Sequence, residues 1–181
     1  MDRSRSQPSL YQFFSGLTEY VFQTRLGVAD PPLLEYISAL MARFIHSDSI
    51  YKVRNLSGRR LEEVAEMLVE AEARIGDSRR EVHRHIGDFT LFWTGVYPEM
   101  LRRMEREGRV DRLIDYREQG KRAYYIASTM RNNENRDESQ VLQRLSYEFE
   151  LCAYGLSELR REWENHEPAE GEDRPGPWII D

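Results

Sequence analysis

The chain has a single cysteine, Cys152, so no intrachain disulfide can form and nothing in it calls for an oxidising compartment. Zinc-ribbon and CxxC redox patterns are excluded on the same ground. Lysine is almost as scarce. Lys52 and Lys121 are the only two among 26 basic side chains, and the rest are arginines. No run approaches the roughly 18 consecutive apolar residues of a membrane-spanning helix, and the opening MDRSRSQPSLYQFF lacks the apolar stretch of a signal peptide. The expectation is a cytoplasmic protein without membrane association. Glycine-rich phosphate loops, GxSxG elbows, HExxH pairs and kinase signatures are also missing. Serine falls mainly in caps and loops, which leaves a nucleophilic triad unsupported.

What is present describes one globular unit with a heavily solvated exterior. The 181 residues are 40% hydrophobic and 32% charged, and the apolar positions recur at helical spacing. A formal net charge of −6 argues against nonspecific nucleic-acid binding, and no basic recognition helix stands out, so no nucleic-acid partner is expected.

The periodicity predicts seven helices. The first runs from about Ser9 to Leu26 with Leu10, Phe13, Phe14, Leu17, Val21 and Phe22 on one stripe, ended by Gly27. Asp30-Pro31 starts the second, because the carboxylate can cap orphan N–H groups and proline presets φ at the first helical position. It continues to about His46. SDSIYKVRNLSG, from Ser47, reads as an irregular connection. A third helix follows from about Arg59 to Ile75, closed by Gly76, and a fourth from Asp77 or Ser78 to about Trp93 with Val82, Ile86, Phe89 and Trp93 inward. Thr94, Gly95 and Tyr97-Pro98 break it, a short fifth helix ends at Gly108, and a sixth spans about Asp111 to Met130.

The last helix starts at Asp137 or Ser139 and carries the cleanest pattern in the chain. Leu142, Leu145, Phe149, Cys152, Leu156, Leu159 and Trp163 alternate in steps of three and four. Such a seam requires a partner helix, supplied either from within the bundle or by a second copy in a homodimer, and the other amphipathic helices favour the first. Cys152 on that seam reads as a small, inert core residue. The reading is therefore an all-α, single-domain multi-helix bundle of about six or seven helices. Residues 1–8 form a flexible N-terminus, residues 9–166 the bundle, and residues 167–181 a disordered acidic tail, EPAEGEDRPGP, ending in apolar Trp178, Ile179 and Ile180.

Polar residues with chemical potential concentrate in REVHRHIGDFTLFW. On a helix Glu81, His85 and Asp88 lie four and three residues apart, so their side chains leave one face and could meet a polar ligand or, with ligands from a second helix, a metal ion. The plainer alternative is a histidine and an aspartate that hydrogen-bond within or between helices. Gly87 beside Asp88 is a poor helix-forming pair, so something must compensate. Either a neighbouring helix packs over Gly87 while an arginine or tyrosine hydroxyl satisfies Asp88, or His85, Asp88, Trp93 and Tyr97 line a small polar pocket. Arg54, Arg59 and Arg60 form one basic cluster and Arg79, Arg80 and Arg84 another. Ion pairing with nearby glutamates explains both more simply than a phosphate site does.

The stretch HRHIGDFTLFWTGVYPE, from His83 to Glu99, has the pattern GDxxLFxxGxxP and resembles a family of uncharacterised bacterial helical proteins. IDYREQGKRAYYIAS and RLSYEFELCAYGLSELRREWE look like parts of the same family, so the likeness covers much of the chain. It implies a single helical unit and carries no activity or cofactor onto Gly87, Asp88, Phe92, Gly95 or Pro98. The functional expectation is a noncatalytic protein-interaction or regulatory module. The alternative is a small-ligand- or metal-binding bundle, an enzyme among the options, centred on Glu81, His85 and Asp88 with Trp93 and Tyr97 around them.

Overall fold

Ser9 opens the first helix with a reciprocal cap. Its hydroxyl accepts from the Gln12 backbone N–H at 3.2 Å, and the Gln12 side chain accepts from the Ser9 N–H at 3.0 Å. Helix α1 (Leu10–Arg25) ends before Gly27, whose φ of 68° is open to glycine but strained for other residues. Asp30 then accepts from the Leu33 N–H at 3.4 Å and starts α2 (Pro31–Phe44) with proline at its first position, as the sequence predicts. The computed structural model describes residues 9–166; the predicted flexible start and acidic tail lie outside the described residues.

In all, nine α-helices, α1 and α2 included, and a 3-10 turn make up the described part of an all-α bundle. The surplus over seven has two sources. SDSI forms a single-turn helix, α3 (Ser47–Ile50), inside the expected connection, and the last predicted helix is two, α8 (Arg136–Tyr147) and α9 (Phe149–His166), divided at Glu148. The third predicted helix is shorter than expected. α4 (Val64–Ala73) begins only after Arg54 and Arg60 have paired in an isolated antiparallel bridge. Conversely, α5 (Gly76–Val96) runs through Thr94 and Gly95, and the break comes at Tyr97. The cause is packing: a Cβ at Gly95 would stand 2.9 Å from the Ala153 carbonyl oxygen and 2.8 Å from Leu156 Cβ, so the glycine that weakens the helix also lets α9 approach it.

Helix α6 (Pro98–Glu107) ends on left-handed Gly108, and a 3-10 turn (Val110–Leu113) separates it from α7 (Tyr116–Thr129). Asp111, expected to start the sixth helix, instead reaches across space. Its buried carboxylate accepts the Val64 and Ala65 N–H groups at 2.7 and 2.9 Å, capping α4 where the helix dipole favours a negative charge. Asp115 caps α7 in its place.

The long central helix α5 organises the rest, with α4, α7 and α9 packed around it and α1 lying against α2 and α9. Leu142, Leu145, Phe149, Cys152, Leu156 and Leu159 are all fully buried, so the seam is covered by helices of its own chain, and it continues straight through the division at Glu148. Trp163 is half-buried against Phe13 and Phe14, with ring centroids 4.9 and 5.2 Å away. Burial pushes the Cys152 thiol up to about 12, which keeps it protonated and unreactive at neutral pH. Among the described residues no helix is long and apolar enough to cross a membrane.

Candidate functional site

Asp88 is completely buried in the middle of α5, and three side chains from two other helices converge on it. The Tyr36 hydroxyl of α2 donates to Oδ1 at 2.7 Å, the Tyr124 hydroxyl of α7 donates to the same oxygen at 2.8 Å, and the Arg43 guanidinium of α2 reaches Oδ2 at 3.3 Å. Tyr36 and Arg43 are seven residues apart, two helical turns, so α2 presents both from one face. A buried carboxylate requires such compensation. Burial, followed by the Asp88 charge, raises both tyrosines well above their ordinary range and keeps them as donors.

Gly87 completes the arrangement. A Cβ there would lie 2.5 Å from Tyr124 Cδ1, so only a glycine lets the Tyr124 ring lie across α5 and place its hydroxyl on the next residue's carboxylate. The same device recurs one contact along, where Gly120 of α7 leaves room for the Thr90 hydroxyl and the Phe149 ring. The two residues with the weakest helix preference in this segment are thus the ones that join α5 to α7.

The structure separates the predicted pocket residues into two sets. His85, Phe89, Trp93 and Tyr97 form a column of tilted and T-shaped ring contacts at four-residue steps, with neighbouring centroids 6.1, 6.1 and 5.8 Å apart. That column extends about 18 Å along the helix axis, so Tyr97 and His85 stand at opposite ends of it. Tyr97 receives the Arg160 guanidinium over its ring at 4.8 Å. Asp88 leaves the helix toward α2 and α7 and belongs to the tyrosine network. Glu81 lies at the surface paired with Arg84 at 2.7 Å and Arg80 at 3.5 Å, and Glu138 of α8 takes the same two arginines at 2.9 and 2.8 Å. Arg79 pairs with Glu72, Arg59 with Glu66 and Arg60 with Asp48, while Arg54 donates to the Gly58 carbonyl at 2.9 Å, so five of the six arginines in the two clusters are in ion pairs. Among the described residues no group of three or more histidine, cysteine, aspartate and glutamate side chains is placed to hold a metal ion.

His85 is itself fully buried. Its Nε2 lies 2.8 Å from the Ile50 carbonyl oxygen, which can only accept, so the proton is on Nε2; Nδ1 has no partner among the described residues. Desolvation, then the Lys52 ammonium, pushes the imidazole down to about 4. The unfolded chain has the ordinary value of 6.5, so between the two values the unfolded state binds the extra proton. The contribution of neutral His85 is present in full above about pH 6.5 and is lost as pH falls through 4. It amounts to about 3 kcal/mol, at about 1.4 kcal/mol per pKa unit. Urea denaturation across this window is expected to show a steeper loss of stability for the wild type than for His85→Gln, whose amide can still donate to Ile50. Equal slopes would show that His85 ionises freely in the folded protein.

Compared with family models, curated proteins and solved structures, the chain matches none.

Proposed function

We propose that this protein is a noncatalytic interaction module that presents the end of the bundle formed by α6 and the following 3-10 turn to a partner protein. The observation that carries this reading is the exposure of Val110 and Leu113, at 61% and 80%, on two residues of one short turn. Leu113 lines a cleft of about 370 Å³ with Leu101, Met104, Ile114 and Tyr116 and four charged side chains between them, and Val110 stands on the same turn. Exposed apolar side chains beside a cleft of mixed apolar and charged lining release ordered water when a partner covers them, the usual driving force of a docking surface.

The charges around the turn favour an acidic partner segment. Glu107 is shared by Arg103 at 2.8 Å and Arg109 at 3.4 Å, and the Asp111 carboxylate is consumed in capping α4. Arg102, Arg106 and Arg112 are exposed and form no ion pair among the described residues, against one exposed carboxylate there that neither pairs nor caps, Glu105. A segment with apolar side chains for Val110 and Leu113 and carboxylates for these arginines fits the surface, with the guanidinium groups setting orientation more than affinity. The chain's net charge of −6 and its paired arginine clusters favour a protein over a nucleic acid as partner. In this reading the protein works in the cytoplasm, where a lone buried thiol needs no oxidising partner.

Quantitative affinity capture with the full chain tests the proposal. A Val110→Asp/Leu113→Asp variant is expected to lose a partner that the wild type retains, while Leu56→Asp, at a position 99% exposed on another connection, retains it. Identical captured sets for all three proteins would reject the surface.

A further inference from the structure

Five residues before Asp88, and so about 140° around α5, His83 faces the opposite groove between α4 and α7. It is 3% exposed, and among the described residues neither of its ring nitrogens has a hydrogen-bond partner. A buried imidazole without partners is unusual, because both its donor and its acceptor lose water and receive nothing in return. His83 also lines a cleft of about 250 Å³ together with Leu68 and Glu72 of α4 and Gln119, Arg122 and Ile126 of α7. A polar group left unsatisfied beside a cleft of that size points to something that fills the cleft.

The lining identifies the chemistry of the occupant. Arg122 is exposed and forms no ion pair among the described residues, so its guanidinium is available to an anion. Glu72, the acidic member of the lining, is engaged with Arg79 at 3.1 Å. Gln119 is half-buried and adds an amide, while the half-buried Leu68 and Ile126 supply apolar wall. Desolvation, then the Arg79 charge, holds His83 below its ordinary pKa, so the ring brings one N–H donor and one acceptor rather than a second full cation.

We infer that this cleft is a binding site for a small organic carboxylate with an apolar body, its charged end on Arg122, Gln119 and the His83 N–H and its body against Leu68 and Ile126. The site does not depend on the surface around Val110 and Leu113, so either can fail without the other. A carboxylate there would satisfy the His83 donor, complete the charge of Arg122 and cover Leu68 and Ile126 at once, which a lone water would not do.

Titration of 3-methylbutanoate into isotope-labelled full-length protein, read by the NMR signals of the His83 imidazole and the Gln119 side-chain amide, is the test. Saturable shifts are expected at millimolar concentration. Binding of 3-methylbutan-1-ol, which keeps the apolar body and lacks the charge, should be weaker by about tenfold or more, the loss that goes with one charge-assisted hydrogen bond. Arg122→Gln should weaken 3-methylbutanoate by a similar factor with the backbone spectrum otherwise unchanged, as its side chain is exposed. The inference is overturned if the His83 and Gln119 signals do not move, if the alcohol binds as well as the acid, or if Arg122→Gln binds like the wild type.

Discussion

Asp88→Ala is expected to lose about 3–5 kcal/mol of folding stability, the range that goes with removing one partner from a buried charged network. The substitution leaves the fully buried Tyr124 hydroxyl without an acceptor, at about 1–3 kcal/mol for a buried orphan, and the half-buried Tyr36 hydroxyl at a smaller cost. Arg43 suffers least, because its side chain is 35% exposed and can turn to water. Asp88→Asn should fall between the two proteins, since the amide oxygen can still accept both hydroxyl bonds while the attraction for Arg43 disappears. Urea denaturation monitored by circular dichroism measures all three. A loss below about 1 kcal/mol for Asp88→Ala, in the range of ordinary surface substitutions, would mean that the network contributes nothing and that the residue is retained for another reason.

Gly87→Ala is expected to destabilise the protein by about 2–4 kcal/mol although it replaces the weaker helix former by the strongest. Alanine raises helix propensity by about 1 kcal/mol. Against that, its Cβ would stand 2.5 Å from a fully buried tyrosine ring whose hydroxyl is tied to Asp88, so the ring must shift and the hydrogen bond must lengthen or break. Overpacking of this kind costs about 1–3 kcal/mol, and the lost bond to a charged acceptor about 1.5–3 more. Gly16 provides the control. It lies within α1, and a Cβ added there would meet nothing within 4 Å, so Gly16→Ala is expected to stabilise by about 0.5–1 kcal/mol. Opposite signs for the same chemical change are the signature of a glycine required by a helix contact. If both variants were stabilised, Tyr124 would not lie where the structure puts it.

The parts of this fold that the sequence carries openly are those fixed by local periodicity and capping. Asp30 and Pro31 specify the start of α2 because cap and first-turn residue act within four positions of each other, and the Leu142 to Leu159 seam specifies a buried face whatever covers it. What local pattern does not contain is the partner. Asp111 has the composition of a helix start for its own segment, yet its carboxylate caps α4 about 47 residues upstream. The division at Glu148 is invisible for a different reason: only that one residue leaves helical backbone, at φ −103° and ψ 24°, so the three-and-four spacing of the seam runs on across it. Gly95 reads as a breaker because propensity is summed along one chain, whereas the close approach of α9 that favours glycine there comes from a segment about 60 residues away.

The same distinction governs the candidate site. Gly87 and Asp88 announce themselves, since both are poor helix formers flanked by apolar residues, and a packing helix plus an arginine or tyrosine is one of the two compensations their chemistry allows. Which tyrosine and which arginine is a question of how α2 and α7 sit on α5, and Tyr36, Arg43 and Tyr124 carry no local mark that selects them. His83 illustrates the reverse case. In the sequence it is one of a pair with His85, both are buried, and only the tertiary hydrogen bonding distinguishes a ring bonded to the Ile50 carbonyl from one left without a partner beside a cleft.

Asp88 and Tyr124 act as one unit joining α5 to α7, and the stability of the bundle around them depends on that bond. A double-mutant cycle with Asp88→Ala and Tyr124→Phe measures the unit directly by urea unfolding. A shared hydrogen bond predicts that the two losses are not additive, with a coupling energy of about 1–3 kcal/mol and a double variant scarcely worse than Asp88→Ala alone. Additive losses, with coupling near zero, would contradict it.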